Sequence, residues 1–261
     1  MDDVSPQHAR ASIATFHTDE LKALISTAHQ LGAKVAAHAS TAAAAFPLID
    51  LGVDSIEHGH LFADDAAPAG GEAFFKKMAD KGTMWVPTLS VYYTFRASGD
   101  DDEDSRPNRP DPRGGAWDGA RTAFAQGRAV GVNMACGGDT GTFPHGENAL
   151  EMQLMVRLGA DWRYVLRWAT LGGWECVRSM AWEGSGAGLE RENKIHECKE
   201  AREVVGDNEM PFGAIRKGFS ADLVATSGDL EQEFERAVSA ECISFVMKIG
   251  KIYKRNGRPL V

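Results

Sequence analysis

Cysteine is scarce in this sequence. There are four in 261 residues, Cys136, Cys176, Cys198 and Cys242, and none forms a CxxC pair. That spacing gives neither a zinc ribbon nor a disulfide framework, so reduced thiols in a cytoplasmic protein are the simplest reading. Long apolar runs are also missing: none approaches the roughly 20 residues that span a bilayer. The opening Met-Asp-Asp-Val-Ser-Pro is acidic and polar, unlike a secretory leader. Basic residues are outnumbered, 28 Lys and Arg against 37 Asp and Glu, for a net charge of −9, and they form no stripe. Phosphate neutralisation needs clustered cations, so nucleic acid is not an expected partner. What remains is 43% hydrophobic and 25% charged, ordinary for a soluble chain able to bury a sizeable core.

The first two-thirds alternate helix-like and strand-like segments. Thr18-Asp19-Glu20 reads as a helix start with carboxylates in the first turn, Leu21, Leu24, Ile25 and Ala28 follow at helical spacing, and Gly32 closes the helix. Lys34 to His38 is a short strand ending on histidine, and an alanine-rich helix runs from about Thr41 to Leu51. Asp54 to His58 is the next strand, again ending on histidine. Glu72–Asp80 is helical and Thr83–Pro87 a strand. A helix at Ala116–Ala129 precedes a strand at Val132–Cys136, which runs into Gly137-Gly138-Asp139. Helices at about Asn148–Leu158 and Asp161–Ala169 follow. This alternation predicts an α/β fold with parallel strands joined by right-handed crossovers.

The last third differs. Ser185 to Asn208 is charged, with apolar positions too sparse for a core helix. Gly213 to Thr226 and Ser244 to Tyr253 read as strand, turn and strand of antiparallel type. The expected organisation is a first domain over 1–210 and a β-rich element over 211–261. Ser98 to Gly115, with five consecutive acids and then prolines and arginines, is a solvated loop or a lid over the strand ends.

Three strands therefore terminate on His38, His58 and Asp139. Parallel strands in a (β/α) barrel present their C-terminal ends on one face, where active sites lie. Imidazoles plus a carboxylate are the usual ligands of a catalytic zinc. Other polar residues receive plainer expectations. His8, His17, His29 and His196 are surface groups, His60 is a loop residue, and Cys136 is a packed thiol. Trp162, Trp168, Trp174 and Trp182 belong to a core, and Glu57 points away from the strand face that carries the ligands. Gly137, Gly138 and Gly141 form no GxGxxG, so a nucleotide site is not expected.

Ala36-Ala-His38-Ala, Asp54-Ser-Ile-Glu-His58-Gly and Gly137-Gly-Asp139-Thr-Gly, followed by Pro144-His-Gly-Glu147, together resemble the amidohydrolase superfamily. The similar branch holds imidazolonepropionase, fungal ochratoxin-type amidases and prolidase-like dipeptidases. The tail Gly213-x-Ile-x-x-Gly-x-x-Ala-Asp-Leu-Val224 is similar to the strand that returns to that family's β-sandwich. The resemblance runs from Val4 to Tyr253. It implies a partial TIM (β/α) barrel, made of its C-terminal strands and helices, with a small β-rich remnant of the sandwich. It also implies His38 and His58 as metal ligands, Asp139 as ligand and general base, and His145 and Tyr92 as substrate contacts, with Tyr93 a weaker candidate. The implied ion is zinc, one at most.

The implied activity is metal-dependent hydrolysis of C–N bonds in a small amide, cyclic amide or dipeptide. The family's His-x-His pair and carboxylated lysine are not found here, which implies a truncated chain, possible inactivity alone, and a homo-oligomer or a complementing chain. The rival expectation is a catalytically dead partial scaffold that needs such a partner. A metal-dependent phosphoesterase is a third, disfavoured by the lack of a cationic phosphate clamp.

Overall fold

The chain is described by a computed structural model over residues 15–63, 70–100, 115–184, 186–197 and 210–260. The acidic, proline-rich stretch 101–114, His8, Cys198, the side chain of His196 and the opening residues lie outside those described. Among the described residues no helix is long and apolar enough to cross a membrane, and Cys136, Cys176 and Cys242 form no disulfide.

The fold is α/β with two separate sheets. Helix α1 (Thr18–Gln30) begins at His17, whose backbone N–H donates to Glu20 Oε2 at 2.7 Å, so the acidic first turn completes a capping box. Strand β1 (Ala36–His38) leads into α2 (Ala42–Asp50), capped by Thr41 Oγ1, which accepts from the Ala44 N–H. Strand β2 (Ser55–Glu57), helix α3 (Glu72–Lys81) and strand β3 (Met84–Val86) follow. The three strands lie side by side in parallel, Ala36 opposite Ser55 and Ser55 opposite Met84. His29, expected at the solvated surface, instead meets Asp54 Oδ2 at 2.8 Å. The same oxygen accepts the Val35 N–H, which ties the starts of β1 and β2 together.

The strand expected at Val132–Cys136 forms one parallel bridge, Trp85 with Met134. Trp85 N–H donates to Asn133 O at 2.8 Å, and Ala135 N–H donates to Trp85 O at 3.0 Å. Asn, Met, Ala and Gly have weak strand preference, so pairing stops after those two bonds. A helix not foreseen, α4 (Leu89–Asp100), starts just after Pro87 and Thr88. Its Val, Tyr, Thr and Phe residues favour strands by propensity, and burial of Leu89 and Ser90 overrides that preference.

Helices α3, α4 and α5 (Ala116–Val130) pack together over the sheet's aromatic core of Phe62, Phe74, Phe75, Trp85 and Phe124. Ring centroids there stand 4.7 Å apart for Phe62–Phe74 and 5.3 Å for Phe75–Trp85. α5 approaches so closely that a Cβ on Gly127 would sit 2.5 Å from the Trp85 ring.

By packing, the chain divides into two units, Met1–Glu151 and Met152–Val261, whereas the expected division was at 210/211. In the second unit α6 (Ala149–Arg157), most of which lies there, offers Gln153 Nε2 to Glu235 O, and Arg157 forms a two-pronged pair with the Glu235 carboxylate. Helices α7 (Trp162–Ala169) and α8 (Leu171–Val177) precede α9 (Ala187–Glu197). Ser185–Asn208, expected to hold no core helix, contributes Ile195 of α9 to a cluster with Trp174 and Trp182, against which Leu171, Met210, Phe212 and Phe219 pack. Two of the four tryptophans thus lie in a core, and Trp162 and Trp168 are only half-buried. The second sheet is antiparallel, β4 (Leu223–Thr226), β5 (Ile243–Lys248), β6 (Lys251–Arg255) and β7 (Arg258–Pro259). Its tight turns at Ile249-Gly250 and Asn256-Gly257 have positive φ at both residues, the geometry that matches strand twist.

Ile195→Ala is expected to lower unfolding stability by about 2–5 kcal/mol in urea titrations, because it empties a packed site. Leu189→Ala, on the exposed side of the same helix, should stay within about 0.5 kcal/mol of the parent.

Candidate functional site

Backbone strain gathers at the C-terminal ends of the parallel strands. His58 (φ +76), Thr88 (φ +49) and Asp139 (φ +55) all adopt the left-handed conformation that non-glycine residues avoid. Each lies just beyond β2, β3 or the bridging segment at Met134. Such positions persist only when their surroundings over-determine them, and they cluster at functional sites. Gly59 makes the first turn possible: a Cβ there would sit 2.2 Å from the Phe62 ring.

His58 is held at every polar atom. Its N–H donates to Val86 O at 2.9 Å and its carbonyl accepts from Trp85 Nε1 at 2.6 Å. Its Nδ1 lies 2.8 Å from Thr88 Oγ1, and its Nε2 lies 2.7 Å from His38 Nδ1, the two rings stacking at 4.8 Å. Burial lowers the His58 pKa first and the neighbouring His38 lowers it further, while the charge of Asp139 acts the other way. The ring is therefore neutral at pH 7, the form that offers a lone pair.

The sequence-designated residues fare differently. His38 and His58 are brought into direct contact. Asp139 is exposed, close enough for its charge to act on His58, Glu57 and Tyr92. Among the described residues, however, no three His, Cys, Asp or Glu side chains are gathered as a metal-holding group. His145 is exposed on its loop. Tyr92 is half-buried against His60, its hydroxyl 3.2 Å from His60 Nδ1, and Thr88 also hydrogen-bonds it. Burial raises the Tyr92 pKa, so the phenol keeps its proton.

Four residues of this neighbourhood were not legible as such. His60, read as a loop residue, is half-buried, with its pKa pushed down to about 4 by burial and then by His58. Glu57, expected to make a structural pair on the opposite side of its strand, accepts from Ser55 Oγ at 2.9 Å, yet it also sits within electrostatic reach of the site: burial raises its pKa, and His38 and Asp139 both act on it. Thr88 is the third. The fourth is Glu151, a fully buried carboxylate whose partners are all neutral: Leu89 N–H at 2.9 Å, Ser90 N–H at 2.7 Å and Ser90 Oγ at 2.6 Å. Its spacing with the buried Leu154 and Met155 puts an acid on the apolar face of a helix, a signal the sequence did carry. Cys136 behaves as the packed thiol expected, since burial raises its pKa well above the free value.

Chemically, the donor set suits a divalent ion in part. Two imidazoles face each other through ring nitrogens, and one is oriented from behind by a hydroxyl, the usual support for a metal-bound histidine. Their present separation is that of a hydrogen bond, one ring donating and the other accepting.

No protein-family model matches the chain. An uncharacterised protein of Mycobacterium tuberculosis is 35% identical over 142 residues, 54% of this chain and 36% of that protein. Ochratoxinase of Aspergillus niger is 26% identical over 253 residues, 94% of this chain and 43% of the enzyme. A solved Xaa-Pro dipeptidase with methionine bound in its active site superposes with a TM-score of 0.66 at 27% identity, over 92% of this chain and 49% of that one. Solved structures described as an amidohydrolase and as a prolidase share the fold at lower identity. These similarities support a relationship to amidohydrolase-superfamily proteins. The chain spans half or less of the length of these relatives.

Burial raises the Glu151 pKa from 4.5 to about 7. The folded state then holds a proton that the unfolded chain releases, so this stabilisation is complete below about pH 4.5 and is lost as pH rises through about 7. Glu151→Gln cannot titrate. The stability of the parent relative to this variant should fall by up to about 3 kcal/mol between pH 4.5 and 8 in urea titrations. A difference independent of pH contradicts the buried, uncompensated acid.

Proposed function

We propose that the chain is the C-terminal part of a (β/α) barrel hydrolase that cleaves the C–N bond of a small amide, cyclic amide or dipeptide with a bound divalent ion, zinc by donor type. The observation that carries this is the convergence of His38 Nδ1 and His58 Nε2 to 2.7 Å at the ends of adjacent parallel strands. The parallel order β1-β2-β3 with the bridge at Met134 supports the barrel reading. So do relatives whose printed names include Xaa-Pro dipeptidase and ochratoxinase.

His38 and His58 would hold the ion, and Asp139 lies near enough to act with them. When bound there, a divalent ion would supply Lewis acidity to activate water and polarise a carbonyl. The exposed Asp139 carboxylate is suited to accept a proton and pass it to the leaving amine. Tyr92 and His60 offer a protonated phenol beside a neutral imidazole, able to orient a substrate carbonyl or carboxylate. His145 is kept as a substrate contact from the loop after Asp139.

A second reading, a partial scaffold completed by another chain, is favoured by β1. Among the described residues its outer edge pairs with no strand, and Ala36 and His38 are exposed there. An unpaired parallel edge is a place for further strands.

Elemental analysis of the purified chain is expected to find about one zinc per chain. His38→Ala and His58→Ala should reduce it to background, and Asp139→Ala should reduce it partly and abolish turnover on an N-acyl amino acid and dipeptide panel. Equal metal in all four proteins contradicts the assigned ligands. Full metal binding without turnover favours the scaffold reading.

A further inference from the structure

The strained Thr88 holds the rear nitrogen of His58, and what fixes Thr88 itself lies further back. The two residues that follow it, Leu89 and Ser90, give their backbone N–H groups to one carboxylate, Glu151, which also accepts the Ser90 hydroxyl. These are the free N–H groups of the first turn of α4, which an acceptor must satisfy when they are buried. Thr88, Ser90 and Glu151 are all nearly inaccessible, so water cannot substitute.

Each ring nitrogen of His58 then has one fixed partner: Nδ1 lies 2.8 Å from Thr88 Oγ1 and Nε2 lies 2.7 Å from His38 Nδ1. A neutral imidazole carries its hydrogen on one nitrogen and accepts at the other, so the partner held behind Nδ1 bears on which tautomer faces His38.

We propose that Glu151 is a positioning residue: by anchoring Leu89 and Ser90 it holds Thr88 in its left-handed conformation, and through Thr88 it sets the tautomer and direction of His58. This rests on the reading of His38 and His58 as metal ligands only where metal affinity is concerned; the tautomer is a property of the metal-free chain. A buried acid with neutral partners is a costly choice for packing alone, and an apolar residue of similar size would fill the space without that cost. In the metal-free chain His38 Nδ1 and His58 Nε2 share one hydrogen across 2.7 Å, and loading an ion on both nitrogens requires that hydrogen to leave.

The test is long-range 1H–15N spectroscopy of histidine-labelled, metal-free protein at pH 8, with zinc titrations in parallel. The parent should show His58 as a single tautomer. Glu151→Gln should mix the tautomers and weaken zinc about 10–100-fold, as loss of an orienting partner does. Thr88→Val should do the same, and Glu151→Gln added to Thr88→Val should weaken zinc no further, because both act through one link. Ser90→Ala, which keeps both backbone anchors, should shift His58 a fraction of the way.

A folded Glu151→Gln protein with lower stability but the parent's tautomer and zinc affinity overturns the proposal. So do additive losses in the double variant. If Glu151→Gln does not fold, a parent-like His58 spectrum in Ser90→Ala overturns it as well. Absence of zinc binding in the parent, with the tautomer shift intact, defeats the proposed function and leaves the positioning role standing.

Discussion

The site depends on one backbone constraint: at the ends of its parallel strands the chain turns through left-handed conformations on residues that resist them. His58, Thr88 and Asp139 each carry positive φ. Each such residue costs of order 1–3 kcal/mol, so the surroundings must enforce it. At His58 the enforcement is visible atom by atom: Val86 and Trp85 take its backbone groups, and Thr88 takes its ring. Gly59 next to it supplies the room that the Phe62 ring would deny any side chain. The same turn that strains the backbone aims the imidazole at His38.

The polar groups behind this face are arranged in neutral pairs. His60 and Tyr92 meet as uncharged imidazole and protonated phenol, both held so by burial. Glu151 is satisfied only by N–H and O–H donors, and burial pushes its pKa up to about 7. Asp139, by contrast, is exposed. Hydrogen-bonded dipoles behind the two imidazoles hold the His58 ring in place.

Much of the fold was legible because short-range chemistry fixed it. Glycines at 32, 82 and 131 end helices in left-handed geometry, and Thr41 and Asp161 cap helices through their side chains. The strands ending near His38 and His58 follow from alternation alone. Helix α4 was not legible, since its β-branched and aromatic residues point the other way, and burial of its first turn and packing against α5 override them. Ile195 was hidden for a similar reason: a lone apolar residue in a charged stretch gives no periodicity, yet it finds Trp174 and Trp182. Of the site, the two histidines could be read from their place at strand ends. Their support could not, because Thr88 and Glu151 are 63 residues apart in the chain and meet only through α4.

The central claim is that His38 and His58 converge to share a ligand. X-ray absorption at the zinc edge of the loaded chain tests it most directly. The account predicts two imidazole nitrogens among the scatterers at about 2.0–2.1 Å, both lost in the double variant His38→Ala/His58→Ala. A spectrum of oxygen ligands alone, or one unchanged in that variant, contradicts it.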